Sequence, residues 1–178
     1  MKTLCQLLIN SDYQTKKCAS LIICECSLNT KSQDNFEEVC KAFEFLGNSK
    51  SSFHKKTFLN IIQIGFKYFS QIFYMKFFYP LFILLEKEEA PCIRAIFVKI
   101  IPLFIKKIVD KNMISKLLQT FEKLLEDKDR IVKQEAENVK AEMLSLSLSE
   151  DFKGKIDDKG EEILLNHEEL IKELKEKV

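Results

Sequence analysis

The stretch "LLEDKDRIVKQEAENV", residues 124–139, decides how this chain is built. It places an acidic turn at Asp127 and, six residues on, a basic Lys133 behind an apolar Val132. Setting Lys133 against Arg94, His54 and Lys17 aligns it with "LLEKEEAPCIRAIFVKI", "FLGNSKSSFHKKTFLNI" and "LLINSDYQTKKCASLII". The anchor spacings are 37, 40 and 39 residues, inside the window of helical-repeat solenoids.

Each copy has the same parts in the same order: an apolar helix, a short polar turn, a basic residue, and a second helix with apolar residues at helical period. The turns hold Asp12, Asn48, Glu88 and Asp127. A carboxylate at a turn that opens a helix accepts bonds from free backbone N–H groups and suits the positive end of the helix dipole. The basic anchors Lys17, His54, Arg94 and Lys133 then fall on the first turn of each second helix. From there they are expected to reach the acidic turn of a neighbouring repeat and form a structural ladder.

The pattern predicts an all-α fold, an α-α superhelix of the HEAT/ARM type with about four helix pairs over residues 1–147. The repeats span about 1–30, 34–70, 72–109 and 112–147, with helices at about 1–9 and 13–28, 34–46 and 50–69, 72–87 and 91–109, and 112–126 and 129–147. One pair cannot bury its apolar face alone, so stacking is what stabilises the array. Pro80 and Pro102 each remove a backbone bond and are expected to bend their helices. Residues 148–160 are polar and hold two of the four glycines, which reads as a linker. The end, 161–178, reads as a charged amphipathic helix with Ile163, Leu164, Leu170, Ile171 and Leu174 near one face, free either to cap the last repeat or to project.

Composition agrees with this plan. A chain of 178 residues with 46% hydrophobic residues and 15 phenylalanines can bury a sizeable core. Four glycines and three prolines leave too little turn chemistry for a sandwich or barrel. With 28 Lys+Arg against 27 Asp+Glu there is no field to gather nucleic acid or an anionic membrane. The run from Thr57 to Leu85 is cut by Lys67 and Lys76 into pieces well short of the roughly 18 apolar residues of a membrane span. It reads as packed amphipathic helices instead, with polar faces from Asn60, Gln63, Lys67 and Gln71. The six cysteines contain no CxxC pair and read as reduced thiols, which with the short apolar run at the start places the protein in the cytoplasm or nucleus. His54 and His167 lack neighbours at ligand spacing, so no metal is expected. No cofactor is expected either. There is no glycine-rich phosphate loop and no Cys/His/Asp constellation, and the Phe66, Phe69, Phe73, Phe77, Phe78 stripe reads as core. The chain is therefore read as non-enzymatic.

These residues resemble the HEAT-repeat family and, within it, the scaffold subunits of serine/threonine protein phosphatase type 2A. Asp127 with Val132-Lys133 and Glu88 with Ile93-Arg94 match the general pattern of an acidic turn followed by an apolar-basic pair. "LLINSDYQTKKCASLIICEC" is similar to a scaffold-subunit repeat, through Asp12-Tyr13, Thr15-Lys16-Lys17 and the Cys/Ala/Ser-rich helix that follows. "FYPLFILLEKEEAPCIRAIFVKIIPLF" is similar in its helix-one proline and its "IIPLF". The likeness covers about residues 1–145, or roughly four repeats of that scaffold's amino-terminal half. It departs at Phe53-His54, where the pattern wants an aliphatic-Arg pair, at Lys16, which replaces an aliphatic residue, and in the tail.

The resemblance implies a scaffold whose intra-repeat turns line up along one ridge where protein partners dock. In the family the amino-terminal repeats hold the regulatory-type subunit, while the catalytic subunit uses carboxy-terminal repeats. By carry-over the ridge comprises Asp12, Tyr13 and Gln14; Asn48, Ser49 and Lys50; Glu88 and Glu89; and Asp127, Lys128 and Asp129. Tyr13 stands out, because an aromatic at an exposed turn is the residue type that anchors interfaces. The alternative is a HEAT adaptor of another large assembly, in transport, the cytoskeleton or cilium, or translation. Oligomeric state is left open by the sequence.

Overall fold

The computed structural model describes residues 1–29 and 33–148, and every regular element among them is helical. The linker at 148–160, beyond Leu148, and the amphipathic helix at 161–178 lie outside the described residues. The elements fall into two compact units divided at Phe73/Tyr74.

The first unit holds α1 (Lys2–Asn10), α2 (Tyr13–Asn29), α3 (Gln33–Asn48), α4 (Ser52–Gly65) and α5 (Gln71–Phe73). α1 pairs with α2 and α3 with α4 as helical hairpins, while α1 also packs on α3 and α2 on α4. First helices therefore lie on first helices and second on second, the stacking of an α-α solenoid. The faces that meet are the apolar ones. Leu8, Ile23, Val39, Phe43, Leu46, Phe58, Ile61 and Ile62 have no solvent exposure. Phe69 stacks on Phe73 with ring centroids 4.5 Å apart, and Phe36 and Phe43 meet those two rings edge-on at 5.8 and 6.0 Å. Each such ring pair adds about 0.5–1.5 kcal/mol to the area it buries.

The second unit starts with a widened π turn (Tyr74–Phe78) and continues through α6 (Tyr79–Ile83), a 3₁₀ turn (Leu84–Lys87), α7 (Pro91–Lys107), α8 (Lys111–Leu125) and α9 (Arg130–Leu148). α9 lies along α7, and α8 packs on both. Phe82 is clamped between Phe97 and Phe104, with centroids 4.3 and 4.1 Å away. Thr120, itself buried, donates to Glu86 Oε2 at 2.7 Å and ties the two first helices of this unit together. α8 is opened by Asp110, whose carboxylate accepts from the N–H groups of Asn112 and Met113.

Two prolines behave differently from each other. Pro80 has no N–H to give the carbonyl four residues back, and the turn just before it is the widened one. Pro102 lies within an uninterrupted α7. In the phenylalanine stripe Phe69, Phe73 and Phe78 are buried and Phe66 and Phe77 half-buried. Among the described residues no helix is long and apolar enough to cross a membrane.

Candidate protein-binding ridge

The start of each second helix fixes where its side chains point. α2 follows Asp12, whose carboxylate accepts from Gln14 N (2.9 Å), Thr15 N (3.1 Å) and the Thr15 hydroxyl (2.7 Å). These bonds hold the Asp12 carboxyl below the usual carboxylate range, the Thr15 hydroxyl contributing most. α4 follows Ser51, α7 follows Ala90, and α9 follows Asp129, which accepts from Ile131 N at 2.8 Å. The cap positions 12, 51, 90 and 129 are evenly spaced at 39 residues. So are the fourth helical positions, Lys16, Lys55, Arg94 and Lys133, and all four are basic.

This register differs from the sequence alignment by one residue in each of the first two repeats. The capped start of α2 puts Lys16, not Lys17, on the inward-facing position. Lys16 is 3% exposed, whereas Lys17 is exposed. In the second repeat His54 lies one position before Lys55; its Nδ1 is 2.9 Å from Ser49 Oγ and its ring is 5.4 Å from that of Phe45.

Arg94 and Asp127 meet across repeats. Arg94 Nε and Nη2 donate to the two Asp127 carboxylate oxygens, each at 2.8 Å, with side chains only 6% and 9% exposed. Nη1 also donates to the carbonyls of Glu88 (2.6 Å) and Glu89 (3.0 Å) in Arg94's own turn. The pair holds the Asp127 carboxyl below its ordinary range and raises the guanidinium further. Asp127 additionally accepts from Asp129 N at 2.8 Å. Lys133, in the fourth repeat, is exposed.

Lys16 occupies the equivalent slot with different partners. Its Nζ donates to the Ile9 carbonyl at 2.8 Å and lies 4.2 Å from the centre of the Phe53 ring. Among the described residues no carboxylate pairs with it, and burial holds the ammonium below the usual lysine range.

The carried-over ridge residues thus divide by what their side chains are doing. Tyr13, Gln14, Asn48, Lys50, Glu89 and Lys128 are exposed, Tyr13 at 45%. Asp12, Asp127 and Asp129 spend their carboxylates on caps and the cross-repeat pair, and Ser49 accepts from Ser51 N at 3.1 Å. Glu88, half-buried, contributes its carbonyl to Arg94. One aromatic escaped the sequence reading: Phe53 is 45% exposed, beside the turn of the second repeat. Its position on the outer side of a first helical turn, next to the apolar-basic step, was the available signal. Tyr13 and Phe53 are joined through lysines, since Lys56 Nζ lies 5.5 Å from the Tyr13 ring centre as Lys16 lies over Phe53.

The cysteines divide evenly: Cys5, Cys24 and Cys40 are buried, Cys18, Cys26 and Cys92 exposed, and all six are free. Burial pushes the Cys24 thiol up to about 12 and that of Cys40 higher still. Thiols so raised are poor nucleophiles. Among the described residues no group of His, Cys, Asp and Glu side chains is placed to hold a metal ion.

No family model matches the chain, and no curated protein matches it. Among solved structures it is similar to a designed armadillo repeat protein in complex with a (KR)4 peptide, at 15% identity and a TM-score of 0.47 over 96% of this chain and 80% of that one.

Proposed function

We propose that the chain is a non-enzymatic helical-repeat scaffold that binds a protein partner along its intra-repeat turns, in the manner of the type 2A phosphatase scaffold subunits it resembles. The observation that carries this reading is the pair of exposed aromatics, Tyr13 and Phe53, at neighbouring turns of one unit. Side chains of this type, large and with few rotors, supply most of the energy at protein interfaces. The one turn carboxylate beside them, that of Asp12, is already occupied by its helix cap, so the rings and the nearby Lys56 amine are what a partner meets. The resemblance favours a regulatory-type subunit as that partner.

The test is a tagged pull-down from the source cell, read by mass spectrometry, with wild type beside a Tyr13→Ala/Phe53→Ala variant. Asp12 is left intact, because its loss would weaken α2 rather than the surface. Recovery of phosphatase subunits with wild type and their loss with the variant supports the scaffold reading. Stoichiometric recovery of a different complex replaces it with an adaptor of that assembly.

A further inference from the structure

α2 is apolar over more of its circumference than its own unit buries. Its inward side, with Ala19, Ile23 and Cys24, is covered chiefly by α1 and α4. The opposite side is not polar, as a solvated helix face would be. It carries Cys18, Leu21, Ile22 and Cys26, all exposed, with Leu21 at 47% and Ile22 at 42%. In the other unit α9 packs in the same way, on its own first helix α8 and on one second helix, α7. The outer side of α9 holds Gln134, Glu137, Asn138 and Lys140, which bond to one another along the helix. A second helix at the edge of a stack needs such a polar face to stay in solvent. α2 lacks one.

The pattern on that face is complementary to itself. Lys17 and Glu25 flank it, with Cys18 and Cys26 beside them and Leu21 and Ile22 midway. Both charges are exposed, and among the described residues neither has an ion-pair partner. An antiparallel copy of the helix, related by a two-fold axis between Leu21 and Ile22, brings Lys17 to the copy's Glu25 and Cys18 to the copy's Cys26. Each match lies within one residue of level, about 1.5 Å along the axis. The two-fold repeats every contact, so each attraction is made twice. A parallel copy would instead set Lys17 on Lys17 and Glu25 on Glu25. We infer that the outer face of α2 is a self-association surface, on which a second copy of the chain lays its own α2 antiparallel, apolar centre on apolar centre. This surface is separate from the intra-repeat turns. It is one helix of 17 residues long, about 25 Å, so the pairing is a micromolar, concentration-dependent one and not an obligate dimer.

The experiment is sedimentation velocity on the full chain up to about 100 μM, well above a micromolar Kd, with circular dichroism to check that each variant is folded. Wild type should pass from monomer to dimer mass as concentration rises. Leu21→Asp/Ile22→Asp, at two side chains already half in solvent, should stay monomeric. Lys17→Glu should weaken association by about tenfold, because the two-fold doubles each lost attraction and each new repulsion. Lys17→Glu/Glu25→Lys should restore it. The register is read by copper-phenanthroline oxidation in air of two further proteins, Cys18→Ser/Cys92→Ser and Cys26→Ser/Cys92→Ser, in which the remaining thiols other than Cys26 or Cys18 are buried. Mixed, they should form a disulfide joining Cys26 of one copy to Cys18 of the other. Alone, neither should crosslink, since antiparallel pairing holds like cysteines about 10 Å or more apart along the axis, beyond the about 7 Å between Cα atoms that a disulfide spans. Wild type that is monomeric throughout, or a dimer untouched by Leu21→Asp/Ile22→Asp, would overturn the inference. So would a double charge reversal that fails to restore what the single one loses, or disulfides between like cysteines as abundant as the mixed product.

Discussion

Arg94→Met removes a guanidinium that makes four hydrogen bonds, two to Asp127 and two to the carbonyls of Glu88 and Glu89. The Asp127 side chain is 9% exposed, so the substitution leaves a largely buried carboxylate without its cation. Breaking such a pair costs about 3–5 kcal/mol. Asp127 keeps its bond from Asp129 N, which argues for the lower end, about 3 kcal/mol. At about 2–4 °C per kcal/mol for a chain of this size, the melting temperature should fall by about 6–12 °C. The assay is far-UV circular dichroism at neutral pH. Arg94→Lys, which keeps the charge and loses the fork, should fall about half as far. Arg94→Met/Asp127→Leu should recover much of the loss, because no buried charge is then stranded. A single-mutant shift under about 2 °C, or a double mutant equal to the sum of the singles, would refute the reasoning. The pH dependence has a definite sign. Asp127's carboxyl is depressed in the folded state, so its contribution is full above the unfolded value of about 3.9 and is lost as pH falls through the lower folded one. Arg94→Met should therefore lose less stability than wild type between pH 5 and pH 2.

The cysteines give a second measurement: a thiol reagent should label Cys18, Cys26 and Cys92 quickly and Cys5, Cys24 and Cys40 only on unfolding. Because burial raises the Cys24 thiol to about 12 and that of Cys40 further, the unfolded chain releases those two protons first. Stability should fall above pH ~8.5 by up to about 1.4 kcal/mol per pH unit for each of these thiols, and Cys24→Ala should remove one thiol's share of that fall. Asp110→Ala, which frees the N–H groups of Asn112 and Met113, should cost about 1 kcal/mol, read as a melting shift of about 3 °C.

The helices were legible because apolar period and turn chemistry agree in this chain. The expected pairs lie within a few residues of those found, as with 13–28 against Tyr13–Asn29 and 112–126 against Lys111–Leu125. The widened turn at Tyr74–Phe78 was not legible, since "YMKFFYPLFILL" is apolar at almost every position and carries no period that a wider turn could break. Register within a helix was equally hidden where two candidates adjoin. Lys16 and Lys17 are both basic, as are His54 and Lys55, so matching charge to charge cannot choose between them. The Asp12 cap chooses: it fixes Tyr13 as the first helical residue, and only Lys16 then faces inward.

That fourth helical position explains why one slot makes a cross-repeat ion pair in one unit and sets a buried ammonium against an aromatic ring in the other. A side chain there leans back toward the helix start and reaches carbonyls at the end of the preceding helix or in the turn after it, Ile9 for Lys16 and Glu88 and Glu89 for Arg94. Whether it also finds an anion depends on the residue two places before the next repeat's cap. For Arg94 this is Asp127; for Lys16 the equivalent is Ser49. Ser49 performs the local half of Asp127's task, accepting the N–H two residues on, without offering a charge. Ser49→Asp should therefore keep that bond and hand Lys16 the carboxylate it lacks. The expected gain is about 1 kcal/mol, smaller than for the Arg94 pair because lysine cannot make the forked contact. A variant that melts no higher than wild type would show that the two slots are not equivalent.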